Sequence, residues 1–245
     1  MLISRNKFFN SLKESNKKTY YFFRLIKKVT YYLIIDKKKL SKAFKTLGFL
    51  NLIFGFILII RNYFLCKIFK FNAWHINSNY YLRPYKKVAV EMANSLKFNS
   101  VIDLGCGLCD ILSRIRCNRK IGVDIDNNII KACKFIFNKI RFINASIFED
   151  YDKLNLNNIY FPKDNLLICL NWLHGYSWEK IQEVLKNMFI SNNVDYLIID
   201  IINFDPKNQY QFHHTEDDLL KIGNILIKQK IEDSNRTLYL LNLNF

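Results

Sequence analysis

Apolar positions along this chain recur with two different periods. Over Arg83–Leu96, Asn127–Asn138 and Ser177–Phe189 they return every three to four residues, which predicts helices. Ser100–Leu104, Lys120–Val123, Arg141–Asn144, Asn165–Leu170 and Asp195–Ile201 are short apolar runs between polar segments, and read as strands. Leu108–Arg116 reads as a further helix. Thr215–Lys221 reads as a helix start, with Thr215 and Asp218 at capping-box spacing. Ile225–Ile231 and Thr237–Asn244 form a strand pair around Asp233-Ser234-Asn235. Strands alternating with helices predict an α/β, doubly wound, mostly parallel sheet, to which the last hairpin adds an antiparallel edge.

The first part of the chain follows another pattern. Helical segments are expected at roughly 5–16, 20–35 and 38–70. Lys37-Lys38-Lys39, Lys42 and Lys45 precede an uncharged run from Thr46 to Ile60. Those 15 residues span about 22 Å as a helix, short of the ~30 Å hydrocarbon core of a bilayer. Extending the run through Asn62–Cys66 means accepting Arg61, which can snorkel near an interface.

Charge sharpens this division. The chain has 245 residues and a formal net charge of +16. Residues 1–72 hold 16 Lys/Arg against two acids, Glu14 and Asp36, whereas residues 73–245 hold 21 against 19. The chain therefore reads as a basic, aromatic, helical arm (1–72) on a nearly neutral domain (73–245). Half of the residues are apolar, which excludes a disordered chain. Six Cys in this length make no disulfide scaffold, no secretory signal opens the chain, and a reducing, cytoplasmic compartment is expected. A span across the membrane would export everything after the run, because most cations precede it. A peripheral or monotopic anchor on the cytoplasmic membrane face avoids that conflict. The alternative is a helix packed on the domain with its Lys solvated.

The chemistry-bearing residues gather at strand ends. Val101-Ile102-Asp103-Leu104-Gly105-Cys106-Gly107 sits at the first strand-to-helix turn, where two Gly let the backbone turn and a ligand approach. The helix expected after it would present free N–H groups. Asp124 closes the second strand 19 residues after Gly105, the spacing at which an acid reaches a ribose hydroxyl.

With these elements in place, the sequence resembles class I S-adenosylmethionine-dependent methyltransferases over about residues 80–245. Asp103-Leu104-Gly105-Cys106-Gly107 is similar to their first motif, Gly122-Val123-Asp124-Ile125-Asp126 to their second, and Asn165 to His174 to their fourth-strand motif. The resemblance implies a Rossmann-like, seven-stranded fold with S-adenosyl-L-methionine at the carboxyl edge of the sheet. It implies that Asp103, Gly105, Cys106 and Gly107 bound the methionyl end, and that Asp124 takes the ribose hydroxyls. Ile125 would pack on adenine, with Ser146 and Ile147 beside it. Asn171 would meet the amino or methyl side of the cofactor. The chain departs from the family pattern at Cys109, which stands for a third Gly, and at Ser146, which stands where many members carry an acid.

Four histidines remain as candidates for acid–base work: His75, His174, His213 and His214. His174 follows the fourth strand and is the expected catalytic base, with a packed histidine as the alternative reading. Cys106 and Cys109 form a CxxC without a second pair, and His213-His214-Thr215-Glu216-Asp217-Asp218 also reads as a capped helix start, so no metal is assigned. Arg83 or a neighbouring Tyr is a candidate to close over the cofactor carboxylate, with a packed linker as the alternative. The expected function is methyl transfer to an oxygen or nitrogen nucleophile of a small-molecule or membrane-associated, saccharide- or lipid-linked acceptor, with an anionic membrane surface as partner. Two other readings stay open: an RNA methyltransferase whose arm tracks phosphates, and a non-catalytic cofactor-binding scaffold.

Overall fold

The computed structural model describes residues 45–150, 163–203, 210–232 and 234–245. The helices expected over 5–16 and 20–35, and the connection between the third and fourth strands beyond residue 150, lie outside the described residues. The chain divides into two compact units, the first ending at Leu82 and the second running from Arg83 to Phe245.

In the first unit, helix α1 (Phe49–Phe69) is followed by two short 3-10 turns, Ala73–Ile76 and Tyr80–Leu82. Lys70 adopts a left-handed conformation and donates its N–H to the Cys66 carbonyl at 2.9 Å, which ends the helix. The chain then folds back along one helix face. Asn62 Nδ2 donates to the Ile76 carbonyl at 3.3 Å, and Asn79 Nδ2 to the Gly55 carbonyl at 3.1 Å. Leu82 fills the space at Gly55, where an added Cβ would lie 2.5 Å from it. The buried face of α1 thus mixes Ile59, Leu65 and Cys66 with Gly55 and Asn62, while Leu50, Ile53, Ile57, Phe64 and Ile68 form an exposed apolar stripe.

The second unit opens with helix α2 (Pro84–Ser95), whose Pro84 suits a first helical turn. Strand β1 (Ser100–Leu104), β2 (Arg119–Asp124), α3 (Asn127–Ile136) and β3 (Arg141–Asn144) follow, then β4 (Asn165–Cys169), α4 (Trp178–Asn192) and β5 (Val194–Ile202). A short α5 (Glu216–Leu220) leads into β6 (Gly223–Lys230) and β7 (Arg236–Leu243). The sheet order is β3-β2-β1-β4-β5-β7-β6, with β7 antiparallel to β5 and β6 antiparallel to β7. The doubly wound, seven-stranded sheet with an antiparallel edge hairpin is as the sequence predicts. β1 and β4 are buried throughout, which is why both read as unbroken apolar runs rather than alternating ones.

One predicted element is absent. Leu108–Arg116 forms a turn with only a 3-10 segment, Leu112–Arg114, and no α-helix. Cys109 stands at φ 62° and its N–H bonds to the Cys106 carbonyl at 2.9 Å, so the backbone curls before a helix can propagate.

Packing is tight under β2. A Cβ on Gly122 would lie 2.9 Å from the Phe142 ring and 3.0 Å from Cys106 Sγ. Gly122→Ala should therefore destabilise the domain by about 1–3 kcal/mol, read as a lower denaturant midpoint at unchanged slope.

Candidate active site

Strand order reverses between β1, which leads to β2, and β4, which leads to β5. A crevice opens at the carboxyl ends of such strands because the connections leave in opposite directions. The loop after β1 lines it. Gly105 at φ 76° and Gly107 at φ 52° take left-handed conformations that a side chain would strain. Gly105 has a further reason to lack a side chain, since its Cβ would lie 2.8 Å from the Trp172 ring. The N–H groups of Gly105 and Cys106 both bond to the Val123 carbonyl at 2.9 Å. Cys133 Sγ donates to the Gly107 carbonyl at 3.1 Å. Burial keeps the Cys109 thiol well above its usual range, and its bond with Cys133 does the same for Cys106, so these thiols pack beneath the loop as neutral groups.

Asp124 ends β2 and holds this loop. Its Oδ2 accepts the Gly107 N–H at 2.9 Å and its Oδ1 the Asp126 N–H at 2.9 Å. The helix terminus expected to follow the loop is replaced by this bond, so a side chain and not a helix dipole sets the loop's electrostatics. Desolvation raises the Asp124 carboxyl from its ordinary value, and the hydrogen bonds from Asp126 and Gly107 oppose the rise. Next to it, Ile125 is 73% exposed, a large apolar side chain held in the open at the strand end. Asn144, unremarked in the sequence, fixes this corner by donating to the Asp124 and Ile125 carbonyls at 3.0 and 2.8 Å. After β3, Ser146 donates its N–H to Asp150 at 2.8 Å and its Oγ accepts the Phe148 N–H at 3.4 Å, while half-buried Ile147 packs on the core.

Asp103, in β1, is buried, and loss of solvation raises its carboxyl to about 7 against the opposing pull of Lys86. Lys86, a second residue that periodicity does not single out, pairs with Asp110 at 3.1 Å. Trp74, His75, Tyr80 and Tyr81 belong to the α1 unit, where Trp74 stacks on His75 and Tyr81 on Phe54.

The crevice's other wall is the end of β4. Asn171 stands at φ 71°, and its N–H bonds to Asp200 Oδ1 at 2.9 Å. Arg236 completes a bridge: it pairs with Asp200 Oδ2, donates to Asn171 Oδ1 at 2.8 Å, and lies 4.2 Å from the Tyr85 ring. Asp200 carried a signal in the sequence, as a lone acid within the apolar strand Leu197–Ile202. Nothing local marked Arg236, whereas Tyr85 is one of the tyrosines beside Arg83 that the sequence offers. Trp172 Nε1 donates to the Leu104 carbonyl at 2.8 Å, so the tryptophan closes the gap between β1 and β4, with Phe148 and Tyr176 packed around it.

His174 is 3% exposed, and neither ring nitrogen has a hydrogen-bond partner among the described residues. Its ring lies 4.8 Å from Tyr210 and 6.0 Å from His214. Desolvation lowers its pKa to about 4, so the imidazole is neutral at physiological pH and a weak proton acceptor. His214 sits 3.1 Å from the Leu173 carbonyl, and Thr215 forms the capping box with Asp218. Among the described residues, no cluster of three or more His, Cys, Asp or Glu is arranged to hold a metal ion.

The burial of Asp103 has a measurable consequence. Its folded pKa lies above the unfolded value, so the folded state binds the proton more tightly. Stability from this group is present at low pH and is lost as pH rises from about 4 to about 7. Asp103→Asn should flatten this part of the stability–pH curve and leave the ligand-free protein more stable than wild type at pH 8, as measured by thermal unfolding.

By sequence, the chain matches no protein-family model and no curated protein. By structure it is similar to the N-methyltransferase NodS from Bradyrhizobium japonicum WM9 in complex with S-adenosyl-L-homocysteine, at a TM-score of 0.53 and 12% identity, over 74% of this chain and 97% of that one. It is similar to the magnesium protoporphyrin IX methyltransferase ChlM from Synechocystis PCC 6803 with bound SAH, at 0.51 and 13%, over 66% and 84%. An O-methyltransferase family protein from Burkholderia thailandensis matches at 0.51 and 13%, over 70% and 59%. The chain thus carries the seven-stranded fold of the class I S-adenosylmethionine-dependent methyltransferases.

Proposed function

We propose that this protein is an S-adenosyl-L-methionine-dependent methyltransferase. The observation that carries the reading is the corner made by Asp124, Gly107 and Ile125. A buried carboxylate bonded to a glycine loop stands beside an isoleucine held open to solvent. That set fits a ribose and an adenine ring: the carboxylate oxygens keep lone pairs for two hydroxyls, and Ile125 supplies an apolar surface. No pyrophosphate site is needed for a sulfonium cofactor, and the loop offers none, since the Gly107 N–H is taken by Asp124. Asp103, Gly105, Cys106 and Gly107 would hold the methionyl end, Ser146 and Ile147 the adenine side, and Asn171 the amino or methyl side. When bound, the cofactor supplies an electrophilic methyl group. The residues of this chain position the acceptor in line with it, and the rate gain comes mainly from that approach. The acceptor is an oxygen or nitrogen nucleophile of a small or membrane-associated molecule. His174, being neutral and buried, serves as a hydrogen-bonding group at the acceptor.

Asp124→Ala should weaken S-adenosylmethionine binding tenfold or more, since a hydrogen bond to a charged group contributes ~1.5–3 kcal/mol. Calorimetry on a folded variant reads this directly, and unchanged affinity would refute the assignment.

The same reading places the protein at the cytoplasmic face of an anionic membrane. Two features support it. The exposed stripe on α1 is apolar, and residues 1–72 carry 16 cations against two acids. α1, with 21 residues, is long and apolar enough to cross a membrane by length and composition, yet Arg61, Asn62 and Lys67 lie within it. An in-plane position lets the two cations stay at the polar interface, while Asn62 is bonded inside the unit. Replacing Leu50, Ile57, Phe64 and Ile68 by Ser in the full chain should remove the salt-resistant part of binding to anionic liposomes, leaving a part that salt releases. Sedimentation of wild type that is released entirely by salt would argue for purely electrostatic attachment instead.

A further inference from the structure

At the end of β4 the acceptor oxygens of Asn171 and Asp200 are already occupied, and what stays open is mostly donor capacity, with one acceptor nitrogen on His174. Asn171 Oδ1 is occupied by Arg236, which has only donors to offer, so the amide turns its Nδ2 hydrogens away from that bridge. Both carboxylate oxygens of Asp200 are taken, one by the Asn171 N–H and one by Arg236. The neutral imidazole of His174 always carries one N–H, and neither of its nitrogens is bonded among the described residues. Trp178 Nε1, a donor only, is likewise buried without a partner, and its ring lies 5.6 Å from His214, the neighbour of His174. An unpaired buried donor is costly, so the arrangement suits an occupant that brings acceptor oxygens.

The arrangement suits an amine poorly. An ammonium group would meet no free carboxylate at Asp200, and His174 is too weak a base to take its proton at neutral pH. An ionised carboxylate needs no base at all. The neighbouring rings of Phe148, Trp172 and Tyr176 present an apolar wall, with Phe148 4.0 Å from Tyr176.

Resting on the cofactor reading above, we propose that the acceptor is a carboxylate on an apolar body, received by donors of Asn171 and His174, and that the product is its methyl ester. A lone pair of the carboxylate forms the new C–O bond as the methyl–sulfur bond breaks, with its electron pair passing to sulfur. The anion and the sulfonium cancel, and no proton moves. Arg236 acts as a positioning residue, since it orients the Asn171 amide.

The test uses the full chain, methyl-labelled S-adenosylmethionine, and four acceptors: benzoate, hexadecanoate, phenol and benzylamine. Label should enter a carboxylate as a base-labile ester that releases methanol, with little on phenol or benzylamine. Calorimetry on protein saturated with S-adenosylhomocysteine then measures carboxylate affinity without turnover. Arg236→Gln should weaken it tenfold or more with the protein kept saturated in S-adenosylhomocysteine, whose own affinity is measured beside it. Because that variant leaves buried Asp200 unpaired, the double variant Asp200→Asn/Arg236→Gln removes both charges together and should show the same loss in a stable fold. Label in base-stable products, no ester from either carboxylate, or undiminished carboxylate binding in the double variant overturns the proposal. Absence of S-adenosylhomocysteine binding to wild type refutes the cofactor reading and the proposal with it, whereas bound cofactor with label on nitrogen refutes the proposal alone.

Discussion

A carboxylate withdrawn from water must find hydrogen bonds or a cation, or give up its charge. Three acids at the carboxyl edge of this sheet meet that demand by capturing parts of the chain distant in sequence. Asp124 captures Gly107 and so shapes the glycine loop. Asp200 captures the Asn171 backbone and Arg236, tying β5, β7 and the end of β4 into one corner. Asp110 captures Lys86 and so fastens α2 to the segment after the loop. The crevice keeps its shape because its walls are the partners that these acids require.

At Asp103 and His174 burial instead opposes the charged form. Burial raises the carboxyl of one towards neutrality and drives the imidazole of the other to its uncharged form. Asp103 lies in β1 and His174 just after β4, the two strands whose ends the Trp172–Leu104 bond links. Polar groups held away from their charged form in an otherwise satisfied edge mark where a folded protein has given up stability, and such places coincide with ligand contact more often than with structural need.

The α1 unit is apolar on both faces. Its interior face joins Ile59, Leu65 and Cys66 to Gly55, Asn62 and the Asn79 amide, and its exterior carries Leu, Ile and Phe. Polar side chains inside satisfy the carbonyls of Gly55 and Ile76, so the fold-back does not depend on apolar burial alone. That leaves the larger apolar side chains free for an apolar environment outside the unit.

Local spacing alone determined the strands, most helices and the sheet's class, because apolar period reports which face of an element is buried. The same reading put Asp103, Gly105, Gly107 and Asp124 at the ends of β1 and β2, since strand ends and glycines are local features, whereas Asn171 entered only through the resemblance to a family. It failed over Leu108–Arg116, where apolar spacing suits a helix but Cys109 enters the left-handed region and bonds back to Cys106. Only the tertiary structure revealed that Arg236, 65 residues from Asn171 in sequence, orients its amide, and that His174 is buried without a partner among the described residues. Those facts depend on which strands lie side by side and how deeply a side chain is removed from water. Neither leaves a trace in the spacing of a single segment, because pairing and desolvation are properties of the assembled sheet.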